Sequence, residues 1–287
     1  MTDAGGLVLC PTPIGNLGDI TLRALDALRR ADVVLAEDTR RTLTLLRHHG
    51  IAAELQSYHE HNEEERTPWA LERLRQGACL VLVSDAGTPG IADPGFRLVR
   101  AAIDQGIPVT ALPGASALLP ALTLSGLPTH RFAFYGFVPR PARLRRAAVR
   151  AALDLPLTSV WYESPQRLPT TLRDMVEAGY GERAAAVARE LTKVYEEVRR
   201  GSVAELAQYW GEAPPRGEIV LCVGPAPAAP TMDVEDAVTE VLRLVGTGAS
   251  LPAATAAVAH RGGLSRRRLY AEAVGRRDRG GPSAGTR

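Results

Sequence analysis

Residues 79–95 read CLVLVSDAGTPGIADPG, an apolar run that ends at an acidic residue and opens onto a stretch rich in glycine and proline. The run that begins at Cys79 has the length and the β-branched content of a strand buried on both faces. Glycines such as Gly87 let a loop approach a bound molecule, and prolines such as Pro89 fix the loop's shape in advance. Because open α/β sheets bind ligands in loops beyond the carboxyl ends of their parallel strands, the segment predicts such a sheet with a binding loop at Asp85. A structural turn with a solvated Asp85 is the alternative.

Composition indicates an ordinary globular chain of about two domains: 287 residues, of which 45% are apolar and 23% charged. No apolar stretch approaches the length of a membrane span, and the N-terminus lacks a basic segment followed by a long apolar core. We therefore expect neither a membrane partner nor a secretory signal. Cys10, Cys79 and Cys222 lie in or beside predicted strands, without the spacing of a zinc motif. They are expected to be buried thiols, which is typical of a cytoplasmic location.

The order of predicted elements indicates an α/β fold with two domains. Short apolar strands alternate with helices in the first half, which predicts a parallel sheet covered on both faces. The rhythm changes after Pro113, and the proline-rich residues 225–230 have the composition of a linker. The predicted domains are an N-terminal α/β domain with a parallel sheet (1–117), a second α/β domain (118–225), a small helical segment like a helix-turn-helix (231–276) and a disordered tail (277–287).

Loops after three strands of the first half, residues 11–18, 85–95 and 113–116, are expected to emerge at one edge of the sheet. The first loop is not the glycine-rich fingerprint of a dinucleotide fold, and no phosphate-binding G-x-x-x-x-G-K-[ST] motif occurs in the chain. A phosphate-rich cofactor is therefore disfavoured. The loops suit a small organic molecule held by backbone groups and one or two carboxylates.

Ordered motifs along the chain resemble a known family. They are Pro11-Thr-Pro-Ile-Gly-Asn-Leu17, Ala36-Glu-Asp-Thr-Arg40, Ser84-Asp-Ala-Gly-Thr-Pro89, Asp93-Pro-Gly95, Leu112-Pro-Gly-Ala-Ser116, Gly126-Leu-Pro128, Tyr162-Glu-Ser164, Ala188-Arg-Glu-Leu-Thr-Lys193 and Gly217-Glu218. The chain resembles the tetrapyrrole methylase-like, or class III, S-adenosylmethionine-dependent methyltransferases, over about residues 7–225. Within them it is similar to the branch that methylates the 2'-hydroxyl of a cytidine in 16S ribosomal RNA of the small subunit, of the type at position 1402. The resemblance implies two α/β domains, S-adenosylmethionine bound in the cleft between them, and a homodimer.

The resemblance also implies which residues line the cofactor pocket. They are Pro13, Ile14 and Gly15 in the first loop, Asp85, Ala86, Gly87 and Pro89 in the second, and Ala115 and Ser116 in the third. Related porphyrin methylases carry G-x-G-x-G-D in the first loop, where this chain has P-T-P-I-G-N-L-G-D. This difference argues against a tetrapyrrole substrate.

Methyl transfer to a ribose hydroxyl needs alignment of donor and acceptor, and a base or a cation that helps the poorly nucleophilic oxygen. The candidate catalytic residues are Glu37, Asp38, His59, His61, Glu163, Glu190 and Lys193. Each candidate has a plainer alternative. Glu37 and Asp38 could cap a helix. Arg189, Glu190 and Lys193 could form an ordinary charge cluster at the start of a helix. The two histidines could bond structurally, and no metal site is predicted because no third ligand is near.

Arginines at two places indicate an RNA partner. The first group follows an aromatic strand and contains no acid; its members are Arg140, Arg143, Arg145, Arg146 and Arg150. The second follows a glycine turn and comprises Arg266, Arg267 and Arg268. Arginines attract phosphates, and aromatic rings can stack on unpaired bases. Solvated helix faces beside core aromatics are the alternative.

Two rival functions stay open. One is a methyltransferase that acts on a small molecule such as a tetrapyrrole, and the other is a non-catalytic RNA-binding protein with a cofactor fold. The arginine groups weigh against the first rival. The intact Asp85 loop weighs against the second.

Overall fold

The computed structural model describes residues 5–213, 215–226 and 232–279. The chain divides into two compact units, residues 1–225 and residues 226–287. The first unit contains two five-stranded sheets with helices packed on them, which confirms the predicted α/β class. The last strand of the first sheet ends at Ala111 and the first strand of the second begins at Phe132, on either side of the boundary predicted at residue 117.

The first sheet is parallel throughout, and its central strands are buried on both faces. Its strands are β1 (Gly6–Leu9), β2 (Val33–Ala36), β3 (Leu55–Ser57), β4 (Cys79–Val83) and β5 (Val109–Ala111), in the order β3-β2-β4-β1-β5. Its helices are α1 (Leu22–Arg30), α2 (Thr39–His48), α3 (Glu63–Arg75) and α4 (Phe96–Asp104). In β4, Leu80 and Leu82 pack against α3 and α4, whereas Val81 and Val83 pack with residues of α1 and α2. The unbroken apolar run is thus explained, because both faces of the central strand are covered.

Strand order places a crevice between β4 and β1. After β1 the chain crosses towards β2 and β3, and after β4 it crosses the other way to β5 at the opposite edge. The two strands are hydrogen-bonded neighbours, and the chain leaves them in opposite directions along the sheet. Such a topological switch point is where open parallel sheets bind ligands. The predicted binding loop at Asp85 therefore starts at the place that the topology opens.

The second sheet is mixed. Its strands are β6 (Phe132–Phe137), β7 (Thr158–Glu163), β8 (Ala184–Arg189), β9 (Glu197–Ser202) and β10 (Ile219–Val223), in the order β6-β7-β10-β8-β9. Strands β6 and β7 are parallel, and the other neighbours are antiparallel. Its helices are α5 (Leu118–Ser125), α6 (Ala142–Leu153), α7 (Leu168–Met175) and α8 (Val203–Glu212). The sequence pattern does not predict β9, because its Glu-Val-Arg-Arg-Gly-Ser sequence lacks the apolar run of an inner strand. It lies at the sheet edge, where it pairs with β8 alone and charged residues are common.

The second unit is a three-helix cluster with its own core. Its helices are α9 (Val234–Gly246), α10 (Leu251–Gly262) and α11 (Arg266–Arg279), with Val241, Val258 and Leu269 buried among them. Gly263 ends α10 in the left-handed conformation (φ 62°). Helix α11 continues to Arg279, so residues 277–279 of the predicted tail are helical. The rest of that tail, residues 280–287, lies outside the described residues.

The structure bears on two features of the sequence, the lack of a long apolar stretch and the three separate cysteines. Within the described ranges, no helix combines the length and the apolar character needed to cross a bilayer. All three cysteines are free thiols; Cys10 and Cys222 are buried and Cys79 is half-buried. Burial raises the pKa of Cys10 and of Cys222 to about 12, so both thiols stay neutral at physiological pH.

Candidate active site

The three loops beyond the first sheet are joined by hydrogen bonds. Thr12 and Gly87 exchange a reciprocal pair of backbone bonds, each 2.9 Å long, which ties the loop after β1 to the loop after β4. The Thr12 hydroxyl donates to the Ser84 carbonyl at 2.9 Å. The Thr88 hydroxyl donates to the Ala115 carbonyl at 3.0 Å, which adds the loop after β5. The three loops therefore come together, as expected from the sequence. These hydrogen bonds hold the loops in one arrangement.

Gly87 supplies the conformation that this junction requires. Its φ is 85°, and a Cβ built there would lie 3.6 Å from Ile14 Cγ2 and 3.7 Å from the Ala115 carbonyl oxygen. A Cβ would therefore fit at position 87, but an L-residue there would adopt a left-handed backbone conformation that costs about 1 kcal/mol. The glycine in the quoted segment thus serves the backbone turn that brings the loops together.

These loops line a cleft of about 400 Å³, which lies within the first unit and takes residues from both sheets. The first sheet and its loops contribute Ile14, Glu37, Arg41, Asp85, Ala86, Gly87, Thr88, Ile91, Asp93, Ser116 and Ala117. The second sheet and its loops contribute Phe137, Tyr162, Glu163, Ser164, Pro165, Leu191, Gly217, Glu218, Ile219 and Val220. The volume lies within the range of pockets that hold small organic ligands.

Three carboxyl groups form an acidic wall of the cleft. They belong to Glu37 at the end of β2, and to Asp85 and Asp93 at the two ends of the loop after β4. Burial, followed by the charge of Asp85, raises the pKa of Glu37. Burial, followed by the charge of Glu37, raises the pKa of Asp93 to about 6, although a hydrogen bond from Ser84 opposes the rise. This wall favours a ligand that carries positive charge or hydrogen-bond donors.

Asp85 is held in place by its neighbours. One carboxylate oxygen accepts from the Asp38 backbone N–H at 2.9 Å, and the other lies 3.6 Å from an Arg41 guanidinium nitrogen. The side chain is partly exposed and lines the cleft. Its carboxylate keeps free lone pairs for hydroxyl or amino groups of a ligand. Asp85 thus lines a cleft and does not stand in a plain solvated turn, and its role in ligand binding stays a prediction.

Glu163, a candidate for catalysis, is engaged inside the protein. It is 2% exposed, and its two oxygens accept from the Ser164 backbone N–H at 2.7 Å and from the Thr171 hydroxyl at 2.6 Å. It also pairs with Arg167, whose guanidinium donates to the Val138 carbonyl at 3.0 Å. These bonds use the carboxylate to fix the turn after β7. Glu163 is therefore a positioning residue for the cleft wall and is poorly placed to accept a proton from a ligand.

Lys193 links loops from the two sheets. Its ammonium group lies 2.9 Å from Glu190 and 3.1 Å from Glu218, and its stem lies so close to Gly15 that a Cβ there would meet Lys193 Cγ at 2.4 Å. Burial lowers the pKa of Lys193, but the two carboxylates outweigh that effect and the net pKa is raised. Hydrogen bonding to Lys193 lowers the pKa of Glu190. Both groups are thus charged at neutral pH, and neither lines the cleft among the described residues. Their own segment is strained, since Glu190 (φ 50°) and Thr192 (φ 68°) are left-handed.

Asp38 and His59 lie outside the cleft lining. Asp38 caps α2 by accepting from the Arg40 backbone N–H, and its hydrogen bonds to Arg40 lower its pKa to about 2. The capping alternative therefore describes Asp38, whereas Glu37 lines the cleft. His59 acts to lower the pKa of Glu37, against the larger effect of burial. The Nδ1 atom of His59 is buried without a hydrogen-bond partner. The rings of His59 and His61 are 6.1 Å apart, and the part of the chain that the structure describes holds no group of three metal-ligating side chains.

The cofactor residues implied by the resemblance divide into two sets. Ile14, Asp85, Ala86, Gly87 and Ser116 line the cleft, whereas Pro13, Gly15, Pro89 and Ala115 stand beside it in the same loops. The structure adds lining residues that sequence reasoning did not select, chiefly Arg41, Asp93, Phe137, Tyr162 and Leu191. Asp93 and Tyr162 lie in motifs quoted in the sequence analysis, so the sequence could have identified them as site residues. Phe137 ends the aromatic strand that the sequence analysis connected with RNA bases, but its place in the cleft was not predicted. Arg41 has no such signal, because its approach to the cleft depends on how the chain folds.

The first arginine group does not act as one surface. Arg145 is buried, and its guanidinium bonds to Asp174 at 2.6 Å and to the Arg140 carbonyl at 3.0 Å. The RNA-binding prediction is therefore corrected for Arg145, which is an internal partner of a buried carboxylate. Arg146 shares Asp174 at 2.9 Å but remains exposed, and Arg143 is exposed as well. In the second unit, Arg266, Arg267 and Arg268 are all exposed.

Comparison with known proteins identifies a family that matches this chain. Residues 6–207 match the family described as Tetrapyrrole (Corrin/Porphyrin) Methylases. A protein of Mesorhizobium japonicum named ribosomal RNA small subunit methyltransferase I is 46% identical over 97% of this chain and 95% of its own length. A protein of the same name from Streptococcus pyogenes serotype M1 is 44% identical over 93% of this chain and 94% of its own length.

Solved structures share the arrangement of elements. The uroporphyrin-III C-methyltransferase of Thermus thermophilus, solved in complex with S-adenosyl homocysteine, superposes with a TM-score of 0.55. It is 23% identical in sequence, and the match covers 77% of this chain and 97% of that one. At this identity the likeness concerns the fold alone.

Proposed function

The chain belongs to the family of tetrapyrrole (corrin/porphyrin) methylases, and on that premise we propose that it methylates 16S ribosomal RNA with S-adenosylmethionine as the donor. In the finer form of the proposal, the acceptor is the 2'-hydroxyl of a cytidine of the type at position 1402. The observation that carries the proposal is the acidic cleft, built from the family's own loops in a chain that is 46% identical to an rRNA methyltransferase over nearly its full length.

The cleft suits the proposed donor. S-adenosylmethionine supplies a methyl group on a positively charged sulfonium, and a solved relative of this fold carries the product form, S-adenosyl homocysteine. Asp85, with its free lone pairs, would accept from hydroxyl or amino groups of the nucleoside. Ile14 and Leu191, from opposite walls, would contact its apolar parts. The cofactor expected from the resemblance is thus consistent with the residues present.

The acceptor oxygen needs a group that takes its proton as the new bond to carbon forms and the carbon–sulfur bond breaks. Among the sequence candidates, Glu37 is the carboxyl group that both lines the cleft and has a raised pKa. Asp93, which the structure adds, meets the same conditions. A carboxyl pKa closer to neutrality makes a better general base. We therefore place proton transfer at this Glu37–Asp93 pair, while Lys193 and Glu190 hold the loops around it.

The partners follow from the same proposal. The substrate is the RNA of the small ribosomal subunit, and the exposed arginines Arg140, Arg143 and Arg146 of the first unit and Arg266 to Arg268 of the second would meet its phosphates. A homodimer is part of the proposal. Light scattering of the full chain tests it, with twice the 30.7 kDa chain mass as the expected value.

Tritiated methyl transfer tests the function directly. Small subunits and ribosomal RNA lacking the modification are offered alongside a tetrapyrrole precursor, and labelled nucleosides are identified by mass spectrometry. Label in 2'-O-methylcytidine supports the proposal. Label in the tetrapyrrole would establish the small-molecule rival, and RNA binding without label would establish the non-catalytic rival.

A further inference from the structure

Phe137, at the end of β6, stands on an irregular part of its strand. The pairing of β6 with β7 shifts register between Phe134 and Phe137, and Gly136 has a φ of 66°. In a regular strand, residues 134 and 137 would face opposite sides of the sheet. A bulge inserts an extra residue and redirects the side chains that follow it. Gly136 permits this bulge because it adopts the left-handed conformation without a Cβ clash.

The bulge decides which way the Phe137 ring faces. Tyr135, on the core side, stacks on the buried Trp161 with ring centroids 4.4 Å apart. Phe137, two residues later, instead meets Tyr162 on the other face, where Phe134 also lies; the centroids are 5.4 Å and 4.8 Å from that of Tyr162. Without the bulge, Phe137 would share the face of Tyr135 and enter the core. The next residue, Val138, is buried in that core instead, so the bulge frees the Phe137 ring without leaving the core position empty.

In its actual position the Phe137 ring is 57% exposed and lines the cleft. Its contact with Tyr162 is edge-on, with 64° between the ring planes. Burial raises the pKa of the Tyr162 hydroxyl, and an interaction with Ser116, in the third loop of the site, partly opposes that rise. An exposed aromatic ring at the edge of a cleft, braced by a second ring, is the arrangement with which proteins hold unpaired bases.

Charge around Phe137 favours a nucleic acid as the occupant. Arg140 and Arg143 follow it by three and six residues and are both exposed. The acidic wall formed by Glu37, Asp85 and Asp93 would repel phosphates from the other side of the cleft. An RNA strand is thus drawn to the side of β6 and α6, where Phe137 is the exposed ring that also lines the cleft.

We propose that Phe137 is the stacking platform for the unpaired base of the nucleotide whose ribose is methylated. This inference rests on the proposed function and adds a residue that binds the acceptor nucleotide. Stacking on Phe137 would hold the base at the cleft mouth and let the attached ribose reach the Glu37–Asp93 pair. The ring takes no part in bond making, so its contribution concerns binding and orientation of the acceptor.

The test uses the full chain, unmodified small subunits, and Phe137→Ala, Phe137→Leu and Phe137→Tyr variants. Loss of base stacking predicts a roughly 5- to 150-fold fall in kcat/KM for the RNA in Phe137→Ala. Phe137→Leu keeps an apolar side chain without a ring and should behave like alanine, whereas Phe137→Tyr should restore activity to within about 3-fold of wild type. Affinity for S-adenosylmethionine, measured by calorimetry, should stay unchanged in all three.

Phe132→Ala is the matched control, because Phe132 is a 40% exposed ring at the start of the same strand and does not line the cleft. A fluorescent cytidine analogue at the target position of an RNA fragment should be quenched by wild type and by Phe132→Ala, and not by Phe137→Ala. Equal activity of Phe137→Leu and wild type, or unchanged quenching in Phe137→Ala, overturns the inference. Wild type that methylates no RNA would instead overturn the proposed function. If an added protein stimulates methylation by the wild type and Phe137→Ala abolishes that stimulation, the ring is assigned to a protein partner.

Discussion

Arg143 and Arg145 lie two residues apart on α6, yet the structure predicts opposite consequences for their replacement by alanine. Arg145 is 7% exposed and bonds to Asp174, which is 5% exposed. Its removal leaves Asp174 buried with only the exposed Arg146 as a partner. Breaking a buried ion pair by removing one partner costs about 3–5 kcal/mol. Arg143 is exposed, and replacing such a residue changes stability by about 0.5 kcal/mol or less.

The assay combines thermal unfolding with RNA binding at several salt concentrations. At about 2–4 °C per kcal/mol for a unit of this size, Arg145→Ala should lower the unfolding temperature by roughly 6–20 °C. Arg143→Ala should leave that temperature unchanged and reduce the salt dependence of RNA binding by about one phosphate contact, a change of about 0.7–0.9 in log–log slope.

The two variants serve as each other's control, since both remove one arginine from the same helix. An unfolding temperature unchanged by Arg145→Ala, together with a reduced salt slope, would refute the assignment of Arg145 to the interior. An unchanged slope in Arg143→Ala would remove Arg143 from the RNA surface while leaving the argument about Asp174 intact.

Further predictions concern the acidic wall and the Lys193 link. Asp85→Asn should fold normally and bind S-adenosylmethionine at least about 10-fold more weakly by calorimetry, since charge-assisted bonds contribute about 1.5–3 kcal/mol; equal affinity contradicts this. The folded protein holds the Asp93 proton up to a pKa of about 6, above the unfolded value of 3.8, so stability should fall as pH rises between those values. The full shift corresponds to at most about 3 kcal/mol, and solvent around the half-buried carboxyl lowers the expected effect to about 2 kcal/mol. Urea unfolding should show that fall in stability, reduced in Asp93→Asn. Lys193→Met keeps the stem over Gly15 but leaves Glu190 and Glu218 to repel each other; it should lower stability by about 1 kcal/mol, and less in high salt.

Local patterns predicted most of the first sheet. Strand Val33–Ala36 and helix Leu22–Arg30 belong to the predicted alternation of short apolar strands and helices, which is readable because apolar runs and capping residues lie at neighbouring positions. Thr21 caps α1 by accepting from the Ala24 backbone N–H, a contact between near neighbours in the sequence. The edge strand Glu197–Ser202 escaped prediction because an edge strand needs no apolar run.

The site was predictable to the level of its loops. Asp85 and Gly87 lie in a segment whose glycines and prolines predict a loop of fixed conformation. The position of that loop follows from the parallel sheet. The individual functions of charged residues were not predictable. Asp38 and Glu37 are adjacent in sequence, yet one caps α2 and the other lines the cleft.

The sequence by itself determined the buried strand β4, the constrained loop behind it and the family motifs, because strand burial and turn geometry depend on neighbouring residues. Only the tertiary structure decided which charges are shared and which are free. Arg145 meets Asp174 across 29 positions, and the pKa of Asp93 is raised by burial and then by the charge of Glu37, which follows another strand. Burial and distance set the energy of a charge, and both are fixed only when separate segments pack together.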